Sequence, residues 1–364
     1  MRQKSMRTAV IGCGMISEIY LKNMTHLFRN LEIVACCDID PARAKVRADS
    51  FGIESRTLEQ ILEDPSIQMV VILTPVPTHY SLIRRALEAG KHVYTEKTIA
   101  VSTEEALQLC ALAEENGLYL GAAPDTFLGS ALQKARALID EGALGNITSF
   151  NICANRDLNF FTSHYRFLRL PGGGICYDYG VYYLTALVSL LGPMATVSAM
   201  VDNLHPVRTD CNPASPDFGK SFAYENESRV TALLQTESGI PGTFTLNGES
   251  IHEDLAVFTL YGTKAVLKLA NPNRFGGDLS LIWYEGKEQK TATVENNLPY
   301  GQNSRGIGPS EMASAILSDC QNRASKELAC HVLDIINTMM ESSQKRCFLT
   351  VQTTCTRPPT MRYN

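Results

Sequence analysis

Apolar and polar positions along the first third of the chain follow two periods. Short unbroken apolar runs at 7–11, 31–37, 69–73, 91–95 and 118–121 read as strands buried on both faces. Between them apolar residues recur at helical spacing near 16–29, 41–51, 57–63, 79–89 and 102–116. The punctuation agrees: Asp40-Pro41 opens a helix with Pro at its first position, Gly90 and Gly117 close two others, and Ser102 with Glu105 forms a capping box. Strand and helix in alternation predict an α/β domain over residues 1–124, a doubly wound parallel sheet of the Rossmann kind.

Beyond Pro124 the texture changes. Phe127, Leu128, Ala131, Leu132, Ala135, Leu138 and Ile139 make one helical stripe ended by Gly142, and a second helix is expected from near Val181. Strand-like runs then follow at short spacing, 147–154, 196–202, 229–236, 242–247, 255–261, 264–269 and 279–284, with tight turns such as Glu237-Ser238-Gly239 between them. Two helices close the chain, 310–323 and 326–343, the second with Leu328, Val332, Ile335, Ile336 and Met339 on one face. Residues 125–364 are thus expected to form an α+β domain with a large open, mostly antiparallel sheet, helices on one side and a long Pro-, Asn- and Asp-rich loop over 203–227.

At 364 residues the chain exceeds one ordinary core, which supports two domains. A formal net charge of −5 offers no cationic face for nucleic acid, and no apolar run is long enough for a membrane span. The run Met1-Arg2-Gln3-Lys4 leads straight toward the first strand rather than into a signal sequence, so a cytoplasmic protein is expected. The 11 cysteines are scattered without a Cys-x-x-Cys pair, so neither a zinc site nor a disulfide framework is indicated and no metal is expected.

The first apolar run breaks into Gly12-Cys13-Gly14-Met15-Ile16-Ser17 and reopens as a helix. Such a turn aims unpaired N–H groups and the positive end of a helix dipole at one spot, where the pyrophosphate of a dinucleotide can sit on backbone. Ser17 stands where the usual Gly-x-Gly-x-x pattern ends in Gly or Ala. The second strand ends on Asp38, roughly 20 residues past the loop, where an acid receives the ribose hydroxyls. A carboxylate there with Ile39 behind it favours NAD, since it repels a 2′-phosphate and no cation follows; NADP is the alternative. The bland alternative makes Asp38 the cap of the following helix or a solvated turn residue.

Ligands of open α/β sheets lie beyond the carboxyl ends of the strands. Thr74, Pro75 and His79 follow the third run and Glu96-Lys97-Thr98 the fourth, which makes Thr74, Pro75, His79, Glu96 and Lys97 candidates for cofactor contact. A lysine at that rim can hydrogen-bond a substrate hydroxyl and exchange a proton with it. The run Gly172-Gly173-Gly174 lets backbone lie close to a partner, and Asp178 and Tyr182, four apart, share a face if one helix holds both. Asn159, His164, Tyr165 and Arg166, on the segment entering that run, are candidates for substrate contact.

Together the glycine loop, Thr74-Pro75 to His79, Gly90 to Glu96-Lys97, Gly173-Gly174 to Asp178-Tyr179-Gly180, and the turn Tyr261-Gly262-Thr263-Lys264 resemble the Gfo/Idh/MocA oxidoreductase family over essentially the whole chain. The resemblance implies a two-domain NAD(P)-dependent enzyme that oxidises a ring hydroxyl of a sugar or polyol, or reduces the ketone. It also implies a homodimer or homotetramer assembled through the second domain's sheet. Lys97 matches the family's catalytic lysine and Asp178 the acid that orients it or the substrate. Two positions depart: Thr98 stands for the usual proline of Glu-Lys-Pro, and Tyr182 for the histidine found in many members, so Lys97 and Tyr182 both stand as proton donors. The alternatives are a glycosidase that uses NAD transiently and a dinucleotide-binding regulator without turnover.

Overall fold

A computed structural model describes residues 5–252 and 256–362; Met1 to Lys4 of the N-terminal run and Leu255, where a strand is expected to start, lie outside the described residues. The chain forms two compact units. The first comprises residues up to Asp125 together with Asn303–Cys330, and the second comprises Thr126–Gln302 and residues from His331 onward. The late segment 303–330, which the sequence assigns to the second domain, thus packs with the first.

In the first unit six strands, β1 (Met6–Ile11), β2 (Leu31–Cys37), β3 (Glu54–Ser55), β4 (Met69–Ile72), β5 (His92–Thr95) and β6 (Leu120–Ala122), pair in parallel in the order β3-β2-β1-β4-β5-β6. The reversal of direction on either side of β1 is the doubly wound topology. Helices α1 (Ser17–His26), α2 (Pro41–Phe51), α3 (Leu58–Glu63), α4 (His79–Glu88) and α5 (Thr103–Glu115) make the crossovers, and the expected capping box at Ser102 and Glu105 is present. Central strand β4 is buried along its whole length, as its unbroken apolar run requires. β3 escapes sequence reading because it is two exposed residues long. The helix expected at 310–323 runs instead over Ile307–Leu317. Pro309 falls in its first turn, where a missing N–H costs nothing, and Asp319, at φ 50°, lies just past its end.

The second unit is built on a nine-stranded sheet. Its strands are β7 (Ile147–Asn155), β8 (Met194–Asp202), β11 (Arg229–Thr236), β12 (Pro241–Asn247), β13 (Val257–Gly262), β14 (Ala265–Lys268), β15 (Leu279–Glu285), β16 (Glu288–Val294) and β17 (Leu349–Thr350), and every pairing is antiparallel except β7 with β12. A separate hairpin, β9 (Val207–Thr209) with β10 (Ser221–Ala223), occupies the stretch read from sequence as a long loop. Its strands are too short and polar to announce themselves. Along β11, Val230, Ala232, Leu234 and Thr236 are buried while Thr231, Leu233 and Gln235 are exposed, so one face is covered and the other open. The unit also contains α6 (Ser130–Asp140), α7 (Leu158–His164) and α8 (Val181–Leu191). From His331 onward the helix Lys326–Lys345 belongs to this unit, and its Ser342 and Ser343 hydroxyls accept from the N–H groups of Ala199 and Val201 in β8. Among the described residues no helix is long and apolar enough to cross a membrane.

Candidate functional site

In the first unit the turn after β1 needs its first glycine twice over. Gly12 has φ 100°, and a Cβ there would lie 2.8 Å from the carbonyl oxygen of Leu73 and 2.9 Å from Thr74 Cγ2. Gly14 faces open space, so packing does not demand a glycine at that position. Cys13 turns its thiol inward, with Sγ 3.4 Å from the Cys37 carbonyl, and its N–H donates to Asp38 Oδ2 at 2.7 Å. Ser17, the departure from the usual pattern, is buried and donates from Oγ to the Gly14 carbonyl at 2.6 Å, closing the loop on itself. Met15 is exposed, and α1 begins after Ile16 with no side chain capping it. A helix N-terminus without a cap, beside open space, fits a dinucleotide pyrophosphate.

Asp38 Oδ1 accepts from the Asp40 N–H at 2.9 Å, and it is Asp40 that caps α2 through Ala42, which removes the capping alternative for Asp38. Each Asp38 oxygen keeps a further lone pair for a ribose hydroxyl. Ile39 is fully exposed beside it.

At the ends of β4 and β5 the chain is tightly cross-braced. Thr74 and Thr78 hydroxyls meet at 2.7 Å, and Thr78 also donates to the Pro75 carbonyl. His79 is fully buried, its Nδ1 2.6 Å from the Thr98 carbonyl and its Nε2 2.7 Å from the Thr74 carbonyl; burial lowers its pKa. The expectation that its side chain meets the cofactor therefore gives way: both ring nitrogens face backbone, and the ring joins the two rim loops. Glu96 accepts from the Tyr20 hydroxyl at 2.7 Å and from the Lys97 N–H at 3.2 Å. The Lys97–Thr98 peptide is cis, although Thr98 replaces the proline of the family pattern.

Sequence reasoning missed Tyr20 and Asp125 here. Asp125 follows a cis Ala123–Pro124 bond past β6, and its Oδ2 accepts from the N–H groups of Gly306 and Gly308 at 3.0 and 3.1 Å. Burial pushes its carboxyl up to about 6. Its place three residues past the end of β6 was the available signal.

In the second unit Asp178 sits in a π-helical turn, Cys176–Gly180, that runs into α8. Gly180 is held against β12, since a Cβ there would lie 2.7 Å from Leu246 Cδ1. Asp178 and Tyr182 are each 9% exposed. Arg156, the first residue past β7, donates to Asp178 Oδ2 at 2.5 Å, and its guanidinium lies over the rings of Phe161 at 3.9 Å and Tyr179 at 4.5 Å. Arg156 was not singled out from sequence, although it stands one step past a strand.

The four substrate candidates separate. Arg166 donates to Asp217 and Ser215 and so anchors the hairpin arm, as Arg169 does through Asp210. His164 stacks on Phe160 with ring centres 4.0 Å apart and bonds the Phe160 carbonyl through Nδ1. Tyr165 stacks on Phe161, the ring that carries Arg156. Asn159 lies in α7, where its carbonyl accepts from Ser163 Oγ.

A family model described as the oxidoreductase family with NAD-binding Rossmann fold matches residues 6–123, and one described as the GFO/IDH/MocA C-terminal domain matches residues 132–268. The scyllo-inositol 2-dehydrogenase (NADP(+)) IolW of Bacillus subtilis is 27% identical over 305 residues, covering 79% of this chain and 80% of that protein. The trans-1,2-dihydrobenzene-1,2-diol dehydrogenase of Oryctolagus cuniculus is 26% identical over 324 residues, covering 87% and 90%. Among solved structures, levoglucosan dehydrogenase in complex with NADH and levoglucosan superposes with a TM-score of 0.84 at 20% identity, over 96% of this chain and 100% of that one, which shows a shared fold.

Proposed function

The chain belongs to the Gfo/Idh/MocA family of oxidoreductases, and from that premise we propose that it is an NAD-dependent dehydrogenase acting on a secondary alcohol carbon of a sugar, sugar derivative or cyclitol, or on the matching ketone. When bound, the dinucleotide supplies hydride exchange at its nicotinamide ring. The backbone from Gly12 to Ile16 receives the pyrophosphate, and Asp38 receives the adenosine ribose. Thr74, Pro75, Glu96 and Lys97 complete the cofactor contacts, with His79 bracing them from behind. The relative from Bacillus subtilis is named for NADP(+), so the preference for NAD rests on Asp38 and Ile39 of this chain.

Lys97 and Tyr182 exchange the proton of the reacting hydroxyl, and Asp178 orients them or the substrate. Asn159 and Tyr165 remain candidates for substrate hydroxyls; Arg166 and His164 serve the arm and α7. The observation that favours an enzyme over a dinucleotide-binding regulator is that the chain carries both Lys97, two residues past β5, and Asp178, just ahead of α8, which sensing a dinucleotide does not require.

A second copy of the chain completes the open sheet face. The strand register puts Met200, Leu233, Val257 and Tyr261 on that one face, all exposed, an apolar set suited to a homodimer or homotetramer interface.

The test is NAD+ reduction over a panel of sugars, inositols and cyclic diols, with Lys97→Met alongside. Turnover with at least one polyol is expected, with kcat lowered by about two to four orders of magnitude in the variant and NADH binding retained. Release of an aglycone without net NADH would identify the NAD-using glycosidase, and NADH binding without turnover on any substrate would identify the regulator.

A further inference from the structure

The glycine run before Asp178 has a partner that the mechanism above does not use. A Cβ on Gly174 would lie 1.9 Å from Glu227 Oε2, and one on Gly173 would lie 2.3 Å from the Leu168 carbonyl oxygen, so the space at these glycines is filled by the protein itself. The chain from Tyr224 to Glu227 clamps this stretch at successive points. The Tyr224 hydroxyl donates to the Gly173 carbonyl at 3.2 Å, and the Asn226 amide donates to the carbonyls of Leu168 and Leu170 at 3.2 and 2.9 Å. The Ile175 N–H donates to the Glu227 carbonyl at 3.2 Å, and the Cys176 N–H donates to Glu227 Oε1 at 2.8 Å. One turn later the Asp178 N–H closes onto the Gly174 carbonyl at 2.8 Å.

We propose that Glu227 is a positioning residue: by accepting the N–H at the head of the turn Cys176–Gly180 in the space left by Gly174, it sets where Asp178 and Tyr182 stand. The proposal rests on the roles given to those two residues above. π-Helical turns are rare and occur mostly as single turns within α-helices, frequently at functional sites. The first N–H groups of a helix have no partner within it, and a carboxyl oxygen at that end satisfies one of them. No other residue than glycine at 174 leaves room for it.

The experiment compares Glu227→Ala and Glu227→Gln with the wild type in the full chain. Hydrogen–deuterium exchange is followed in the peptide spanning residues 174–182, together with kcat, KM and the affinity for NADH. Glu227→Ala is expected to exchange faster in that peptide and to lose kcat by about tenfold or more, with NADH affinity within about twofold of wild type. Glu227→Gln keeps an oxygen for the Cys176 N–H, and it is expected to restore protection and most of kcat. Wild-type exchange and kcat in Glu227→Ala would overturn the proposal. A Gln variant as impaired as the Ala variant in both readouts would overturn it as well, and that arm decides alone should Glu227→Ala fail to fold. If the wild type turns over no polyol, the functional reading fails, while the exchange measurement still decides the role of Glu227.

Discussion

The backbone N–H of Cys13 donates to the carboxylate of Asp38 at 2.7 Å, so the acid at the end of β2 holds the glycine turn at the end of β1. One side chain thus shapes the loop proposed to receive the pyrophosphate. The proposed preference for NAD rests on its charge. Asp38→Ser with Ile39→Arg removes the repulsion toward a 2′-phosphate and adds a cation, and should move the ratio of NADPH to NADH affinity by about tenfold or more toward NADPH. The double variant should also bind NADH more weakly, because the Cys13 N–H loses an ionic acceptor. Tighter binding of NADPH than NADH by the wild-type protein, measured by fluorescence titration, would refute this account of the β2 end.

A pH dependence of stability follows from Asp125, which is fully buried with its carboxylate on the N–H groups of Gly306 and Gly308. Burial raises its folded pKa to about 6, above the ordinary 3.8. The fold therefore favours the protonated form. That contribution is complete below the ordinary value and is lost as pH rises through about 6, a change of about 3 kcal/mol. Asp125→Asn keeps an oxygen acceptor and cannot ionise. Its Tm relative to wild type should rise between pH 4 and pH 7, and a difference that stays flat over that window would show that Asp125 does not titrate there.

The Arg156–Asp178 pair should behave as a coupled unit. Arg156→Met takes the guanidinium from a nearly buried carboxylate, for which breaking such pairs costs about 3–5 kcal/mol. Asp178→Asn in the Arg156→Met background should cost much less than it does alone, with a coupling energy of about 1–3 kcal/mol from a double-mutant cycle in urea. Additive losses would mean that the two side chains are stabilised independently.

How much of this was open to a reader of sequence depended on the range of the interactions involved. The first sheet was legible because buried parallel strands are continuous apolar runs, and β2 and α2 appear at the expected residues. The tight turn after β1 was legible because the requirement for a residue without Cβ at Gly12 is local. Asp125, Arg156 and Glu227 were not, since their partners lie 181, 22 and 51 residues away and a lone acid or base at a strand end gives no sign of its partner. His79 shows the opposite error. Its position past β4 was readable, but the direction of its ring depends on where the Thr98 carbonyl lies, and that is fixed by another loop.

Tyr182 is where sequence and structure leave the sharpest test. It stands in the first turn of α8 at 9% exposure, after a turn pinned by Gly180 against Leu246 and by the Cys176 N–H against Glu227. Packing of that quality holds a phenol in one place, which a proton-exchanging group requires and a plain core residue also shows. Removing only the hydroxyl separates the two. If the oxygen exchanges the substrate proton, Tyr182→Phe keeps the ring and its packing, so Tm should change little, while kcat falls by about two to four orders of magnitude at nearly unchanged KM. Tyr182→His should then recover part of the rate, since imidazole places a group that titrates near neutrality at the same site. A Tyr182→Phe enzyme with wild-type kcat and an unaltered pH profile would make Tyr182 a packing residue and leave the proton to Lys97.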